Sequence, residues 1–383
     1  MFHSYVLFPF LLWLFSRGKK ENELVYAKDD ADLPEVFVVF AAYNEEKVIL
    51  EKMQSIFNTA YPKSKLHVFI GSDNSTDQTN EIITSFPVEV SELFFLNFEG
   101  RMGKSAILNQ LVSLINKRPL DKANTVFVFT DANVMFTPET LFQLAKHFKN
   151  PSIGQVAANI LNRGVTPQGI AYHEKSYINR ENRIKYLEGL NGGAMIGAFG
   201  ACYAMRADCW TDILPNYLME DFYLSMGILK QDKKAILEPN AICHEDVSSE
   251  VQEEYKRKKR IQAGNFQNLS VYWPMLFGVN KVAFNFLSHK VLRWLGPVFI
   301  AAAYLSSLFL IGYSPLYLTA FAILNVFLIS PVLDDLLKWA GIELKFFRFI
   351  SYFCLMNMAL VGGFIMYIKG IQTSAWSPTK RNV

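Results

Sequence analysis

The segment Phe127-Val-Phe-Thr130-Asp131-Ala132-Asn133 constrains this chain more than any other. A short run of β-branched and aromatic residues reads as a buried strand, and it ends in an Asp, one spacer and a second oxygen-bearing side chain. Open α/β sheets bind their ligands outside the carboxyl ends of such strands. Oxygen-only donors suit Mg2+ or Mn2+, which take one or two carboxylates together with phosphate oxygens and water. Taken alone the tripeptide reads equally well as an ordinary polar turn, so its neighbours decide.

The chain has 383 residues, room for one large domain with an appendage or for two domains. Hydrophobic residues make up 51% and aromatics 14%, rich for a soluble enzyme, and the excess collects at the two ends. A soluble middle between membrane segments is expected. The formal net charge of +3, without a long basic tract interleaved with aromatics, argues against nucleic acid as a partner. Four scattered cysteines with no Cys-x-x-Cys spacing read as reduced, mostly buried thiols. The Asn-x-Ser/Thr sites at Asn74 and Asn268 carry little weight if the middle is cytosolic.

Residues 2–15 are apolar and aromatic, and Arg17, Lys19 and Lys20 come directly after them. No basic residue precedes the run and no small-x-small site succeeds it, which argues against a cleaved signal peptide. The run is short of the about 20 helical residues that span a bilayer. Residues 1–20 therefore read as a thin membrane anchor, the preferred reading, or as an interfacial helix. The basic cluster places the next segment of the chain on the cytoplasmic side.

From about 34 to 243, short apolar runs (36–41, 66–70, 88–96, 126–130) alternate with amphipathic stretches (45–59, 76–85, 104–117, 138–149). That alternation implies an α/β domain with a parallel sheet covered on both faces. Beyond the charged stretch 250–260, residues 273–287 carry aromatics at helical spacing and suit an interfacial helix. Runs at 294–312, 316–333 and 349–368 are long enough to span. Gly312-Tyr-Ser-Pro315 is a tight turn that makes the first two a hairpin. Its flanks His289, Lys290, Arg293, Lys338, Lys345 and Arg348 put both hairpin ends inside. The third run would then end outside, whereas Lys369, Lys380 and Arg381 favour the inside. The expected plan is a catalytic domain over 34–270, an interfacial helix over 271–290, about three membrane helices over 291–370 and a tail over 371–383.

Five clusters carry candidate chemistry. Tyr43-Asn-Glu45-Glu46 comes after the first strand: an aromatic there can stack on a base and a carboxylate can accept from a ribose, or the acids merely favour a helix start. Gly71-Ser-Asp73-Asn-Ser-Thr76-Asp77 offers close backbone approach and an acceptor, Asp73, for a base N–H; Thr76 or Asp77 also suits a helix cap. Arg101-Met-Gly103-Lys104-Ser105 sets two cations beside a helix start, a natural place for anionic oxygens. It is not a phosphate-binding P-loop, since Phe98 stands where that pattern needs Gly. Glu220-Asp221 opens an amphipathic stretch and offers a general base for a hydroxyl. The glycines of Gly193-Ala-Met-Ile-Gly197-Ala-Phe-Gly200 read as an acceptor loop or as tight packing. Arg257 to Arg260 is either a clamp for a diphosphate or a contact with anionic headgroups. His244 with Glu245 and Asp246 reads as cap or solvent-facing residues before metal ligands.

In this order, Ala-Tyr-Asn-Glu-Glu, Ser-Asp-Asn-Ser-Thr-Asp, Arg-x-Gly-Lys-x-x-x-Leu-Asn, Asp-Ala-Asn, Glu-Asp and Arg-x-x-Arg resemble the family 2 glycosyltransferases over nearly the whole chain. More narrowly the chain is similar to the membrane-integrated branch of cellulose, hyaluronan and poly-N-acetylglucosamine synthases. The resemblance implies a nucleotide-diphosphosugar transferase (GT-A) fold with a mostly parallel sheet, α-helical transmembrane segments and inversion by direct displacement. By position, Tyr43, Glu45 and Asp73 would hold the nucleoside with Lys104 nearby. Asp131 and Asn133 would hold Mg2+ or Mn2+, Glu220-Asp221 would be the catalytic-base motif and Arg257 and Arg260 the diphosphate clamp.

Three departures stand out: Asn133 replaces an Asp, Met219 stands where Thr is common, and Ile261 replaces the Trp that stacks on the acceptor in processive relatives. The implied function is transfer of a sugar from a nucleotide sugar, UDP-linked by resemblance, to a growing glycan on the cytoplasmic side of an inner or plasma membrane. The alternatives are addition of one sugar to a lipid acceptor and a silent nucleotide-sugar-binding membrane subunit, for which Asn133 is the main support. The sequence specifies neither the sugar nor any partner subunit.

Overall fold

The computed structural model describes residues 2–87, 90–163, 170–246, 251–342 and 344–376. Val88, Glu250, Lys380 and Arg381, which bear on the expectations above, lie outside the described residues. Eight strands form one sheet: β1 (Glu35–Ala42), β2 (Leu66–Ser72), β3 (Glu92–Asn97), β4 (Thr125–Thr130), β5 (Val134–Phe136), β6 (Ile153–Arg163), β7 (Cys202–Arg206) and β8 (Lys234–Asp246). Their order is β3-β2-β1-β4-β7-β6-β8-β5. The β3, β2, β1 and β4 neighbours pair in parallel, β7 runs antiparallel to both β4 and β6, β8 is parallel to β6, and β5 is antiparallel to β8. The sheet is thus mostly parallel, with β7 and β5 reversed.

The apolar runs are continuous because both sheet faces are covered. Val36, Val38 and Phe40 of β1 enter one core with Val126 and Val128 of β4. Phe37, Val39 and Ala41 enter the other with Phe127 and Phe129, as the period of two in a strand requires. The order of β1 fixes where the site must lie. The chain leaves β1 towards β2 and β3, then returns to β4 on the other side of β1, so a crevice opens at the carboxyl ends of β1 and β4.

Several boundaries differ from the sequence expectation for local reasons. The first helix begins at Ile49, not 45, because Asn44 is left-handed (φ 52) and turns the chain. The second begins at Thr79, where Asp77 Oδ1 accepts from the Thr79 N–H at 3.0 Å. The third strand is Glu92–Asn97, and residues 138–149 divide into an α-turn (Thr140–Ala145) and a 3-10 turn (Lys146–Lys149). The single interfacial helix expected at 273–287 is broken: a 3-10 turn, Trp273–Phe277, is followed by a helix that starts at Lys281, where Asn280 caps the Ala283 N–H at 2.9 Å. All four cysteines are free and buried.

Among the described residues two helices are long and apolar enough to cross a membrane, Pro315–Trp339 and Phe347–Ile368. A third span exists only if Lys281–Trp294 and Gly296–Phe309, bent by 59°, count as one. The chain turns between Phe309 and Pro315 as the Gly-Tyr-Ser-Pro sequence requires. The last helix also packs on the Val251–Tyr272 helix: Phe364 meets Phe266 at 4.9 Å, and a Cβ at Gly363 would lie 2.8 Å from the Lys259 carbonyl.

Gly71 lets the Lys104–Asn116 helix settle on β2, since a Cβ there would strike the Ile107 methyl and lie 3.1 Å from Phe98. Gly71→Val is expected to cost about 1–3 kcal/mol through overpacking, read as a melting temperature several degrees lower. Gly312→Ala, with open space at that position, is expected to leave it unchanged.

Candidate active site

The loops after β1 and β2 are zipped together by polar side chains. Asn44 Oδ1 accepts the Thr76 N–H at 2.8 Å, Asp77 Oδ2 accepts the Glu46 N–H at 3.1 Å, and Glu46 Oε2 accepts the Gln78 N–H at 3.1 Å. Glu45 is buried and donates its N–H to Thr79 Oγ1 at 2.8 Å. Thr76, Asp77 and Glu46 thus serve the loop architecture. Asp73 is fully buried at the next level. Its carboxylate accepts from Met102 N at 2.6 Å, from Gly103 N at 3.2 Å and from Arg101 Nε at 3.0 Å, so it shapes the turn that precedes the Lys104 helix.

Arg101, held that way, lies flat over Tyr43, its guanidinium carbon 3.3 Å from the ring centroid. The Tyr43 ring meets Trp376 edge-on at 6.3 Å, and Arg101 also donates to the Trp376 carbonyl. The chain beyond the last apolar helix therefore returns to this pocket. Gly103 is left-handed (φ 83), and a Cβ there would fall 2.8 Å from Ala375 N. Arg260 Nη2 donates to the Ser374 carbonyl at 3.2 Å. Ser374 to Trp376 form one wall of the pocket, a role with a single sequence signal: a Trp in a polar tail.

The charged centre is built from three separate motifs. The ammonium of Lys104 lies 2.6 Å from Asp131 Oδ1 and 2.6 Å from Glu220 Oε1. Burial pulls its pKa down, but Asp131 and Glu220 outweigh that and hold it above the ordinary lysine value. Glu220 and Asp221 are the first residues of the Glu220–Lys230 helix and both are buried. Burial, and then the neighbouring Glu220 charge, push Asp221 up to about 6, against the pull of Lys104.

Gly200 faces Asp221, with space for a Cβ only 3.0 Å from its Oδ2, and Gly197 (φ 73) would bring one to 2.5 Å from the Phe222 ring. Gly197 and Gly200 thus pack closely against the helix that carries Asp221, and Gly193 packs against Lys234. Arg260 feels Glu220, Asp131 and Asp221; burial lowers its pKa and these carboxylates oppose the shift. Its Nε is buried and, among the described residues, has no hydrogen-bond partner. Arg257 is half-buried one turn earlier on the same Val251–Tyr272 helix. That helix docks through Gly264 onto Leu218 and Met219, and Asn268 Nδ2 donates to the Met219 carbonyl at 3.2 Å, which sets Arg260 relative to Asp221.

Asn133 lies half-buried beyond β4 with no side-chain hydrogen bond among the described residues. Among those residues no group of three or more His, Cys, Asp or Glu could cage a metal, and His244 and Glu245 instead pair with Met135 and Val134 across β5 and β8. One carboxylate and one amide oxygen fit a hard divalent ion that takes its remaining ligands from phosphate and water.

Two lysines went unnoticed in the sequence. Lys52, fully buried behind the Asp131 loop, donates to Thr130 Oγ1 at 2.9 Å and to the Val134 carbonyl at 2.5 Å, bracing the loop on both sides; burial lowers its pKa to about 8. Its spacing with Ile49, Met53 and Ile56 already put it on the buried face of its helix. Lys185, also buried, lies 3.4 Å over the Phe199 ring; burial takes it down to about 7, with Asp221 among the charges opposing.

Comparison with known proteins identifies the family and the fold. The sequence pattern described as "Glycosyl transferase family 2" matches residues 37–210, and that of "Glycosyl transferase family group 2" matches residues 126–333, more than half of the chain. The chain belongs to the family 2 glycosyltransferases and has a GT-A fold. It is 32% identical over 134 residues to a β-monoglucosyldiacylglycerol synthase from a Nostoc species, covering 34% of this chain and 27% of that one. A synthase of the same name from a Synechocystis species is 26% identical over 250 residues, 63% and 50% of the two chains. The chain thus spans at most about half the length of these relatives. The structure of the mannosyltransferase PcManGT from Pyrobaculum calidifontis, in complex with GDP-Man and Mn2+, superposes with a TM-score of 0.66 at 19% identity over 94% of each chain, a likeness of fold.

Removing the Lys104 charge leaves buried Glu220 without its cation. Lys104→Met is expected to destabilise the protein by about 3 kcal/mol, measured as a lowered melting temperature, and Lys104→Arg by distinctly less.

Proposed function

We propose that the protein is a metal-assisted inverting glycosyltransferase that moves one sugar from a nucleotide-diphosphosugar, UDP-linked by family resemblance, to the hydroxyl of a membrane lipid. The observation that carries the reading is the convergence of Asp131, Lys104, Glu220 and the unpartnered Arg260 Nε beside Asp221. Tyr43 and Glu45 would hold the nucleoside, with Asp73 holding Arg101 against it. Arg257, Arg260 and Lys104 would take the diphosphate and stabilise the charge that develops on it as the glycosidic bond breaks. Asp131 and Asn133 would hold Mg2+ or Mn2+, which when bound neutralises part of that same charge. Asp221 would accept the proton of the attacking hydroxyl, a role favoured by a pKa near working pH.

A lipid acceptor is supported by the name of the relatives, by the apolar helices beside the domain and by Ile261 in place of Trp. Those helices support membrane association, with the catalytic domain on the cytoplasmic side by the basic cluster at residues 17–20. Extension of a glycan is the second reading, favoured by the resemblance to the polymer synthases.

The test is nucleoside diphosphate release by the purified protein in native lipid, across UDP- and GDP-sugars, with Mg2+, Mn2+ or chelator. Metal-dependent release from one donor, falling at least about 10²-fold in Asp221→Asn, is expected. Undiminished release in that variant would remove Asp221 from the mechanism, and binding without turnover for every donor would favour the silent subunit. Product size separates a single-sugar lipid from a polymer.

The base must be ionised to work. The rate is therefore expected to fall below about pH 6, where Asp221 protonates. Glu220→Gln removes a charge that raises the Asp221 pKa and should move the break to lower pH; Lys104→Met removes one that lowers it and should move the break up. A pH–rate profile of each variant reads the shift.

A further inference from the structure

The N-terminal helix, His3–Ser16, docks on the Ile170–Leu190 helix through a small core of its own, Phe8 and Leu12 against Ile184 and Leu187. Its other face stays apolar and open: Phe2, Val6, Phe10, Trp13 and Phe15 are all exposed. Between the two helices lies a shallow cavity of about 330 Å3 with Phe10, Trp13, Ile184 and Leu187 for walls and Arg180 and Arg183 at its rim. Arg17 adds a third cation, its guanidinium 4.8 Å from the Trp13 ring.

The charges here are one-sided. Residues 2–20 contain no Asp or Glu. Glu181, between the two arginines, turns the opposite way and is taken up by Arg293 at 2.5 Å, His289 at 2.9 Å and Lys290 at 3.1 Å. Arg180 donates to the Tyr5 carbonyl, and neither Arg180 nor Arg183 forms an ion pair among the described residues. A soluble surface mixes both signs of charge; exposed aromatics flanked by unopposed arginines are the pattern of a lipid interface. The patch is also continuous with the apolar helices, since Tyr5 meets Phe353 of the last one at 6.1 Å.

We propose that this cavity is a binding site for an anionic phospholipid, the phosphate on Arg180 and Arg183 and an acyl chain along Phe10, Trp13 and Leu187. None of the residues that line the cavity belongs to the Asp221 centre. The site rests on the reading that the apolar helices meet lipid, but not on the reaction.

The experiment places the full chain in phosphatidylcholine nanodiscs carrying a trace of photoactivatable phosphatidylglycerol or phosphatidylcholine, with the acyl crosslinks mapped to peptides. Phosphatidylglycerol is expected to label the peptides of Phe10–Trp13 and Ile184–Leu187 about tenfold over phosphatidylcholine. Arg183→Glu should bring the two probes level, Arg183→Lys should retain most of the difference, and about 0.5 M salt should shrink it in the unaltered protein. Equal labelling by both probes, or a preference that Arg183→Glu and salt leave untouched, overturns the site. Labelling of Pro315–Trp339 without labelling of the cavity overturns the site too, while the membrane reading stands.

Discussion

One ammonium group holds the centre together. Lys104 starts the helix that packs on β2, Asp131 comes directly after β4, and Glu220 starts a helix 116 residues beyond Lys104; the ammonium reaches both carboxylates within hydrogen-bond distance. None of the carboxylates could sit beside Asp221 in a buried crevice without a cation to offset their mutual repulsion. The same pairing decides the chemistry on offer, because Lys104 restrains how far Asp221 is pushed towards protonation.

Around that cation, the supporting residues act by fixing loops. Asp73 commits its carboxylate to the turn from Arg101 to Gly103, and Lys52 directs its three-donor head to the two flanks of the Asp131 loop. Arg260 is positioned by a glycine contact, Gly264 on Met219, and left with a buried donor unused. Among the described residues this leaves a buried arginine donor in fixed surroundings, the arrangement that the proposed binding of a diphosphate would use. Ser374 to Trp376 close the pocket beyond the last apolar helix, coupling that helix to Tyr43, Arg101 and Arg260.

Much of the fold was legible because its signals are local. The runs that became β1, β2 and β4 are continuous and apolar for a single reason, coverage on both faces, and the helix at 104 starts at the Gly-Lys step where the sequence put it. The boundaries that slipped did so where tertiary partners overrode local pattern: Asn44 turned left-handed to meet Thr76, and Asp77 capped Thr79 a few residues beyond the expected start. The reversed strands β5 and β7 carry no mark of their direction, since a strand's residues do not record which neighbour it joins. Of the site, the residue types and their order were visible; their partners were not. Asp73 looked like an acceptor for a base and is found gripping Arg101, and Lys104, placed near the nucleoside, stands between two carboxylates.

The sequence by itself determined the class: an α/β sheet with carboxylates, an amide and cations at strand and helix ends, in the order of one transferase family, beside segments apolar enough for a bilayer. Those are properties of short stretches, set by side-chain chemistry and periodicity. Only the tertiary structure decided that Lys104 bridges Asp131 and Glu220, that the polar tail returns to Tyr43 and Arg260, and that Arg180 and Arg183 face an apolar cleft with no acid among the described residues to answer them. Contacts between residues about 100 or more positions apart depend on how whole elements pack, and a charge acquires its role from the partner that packing brings within reach.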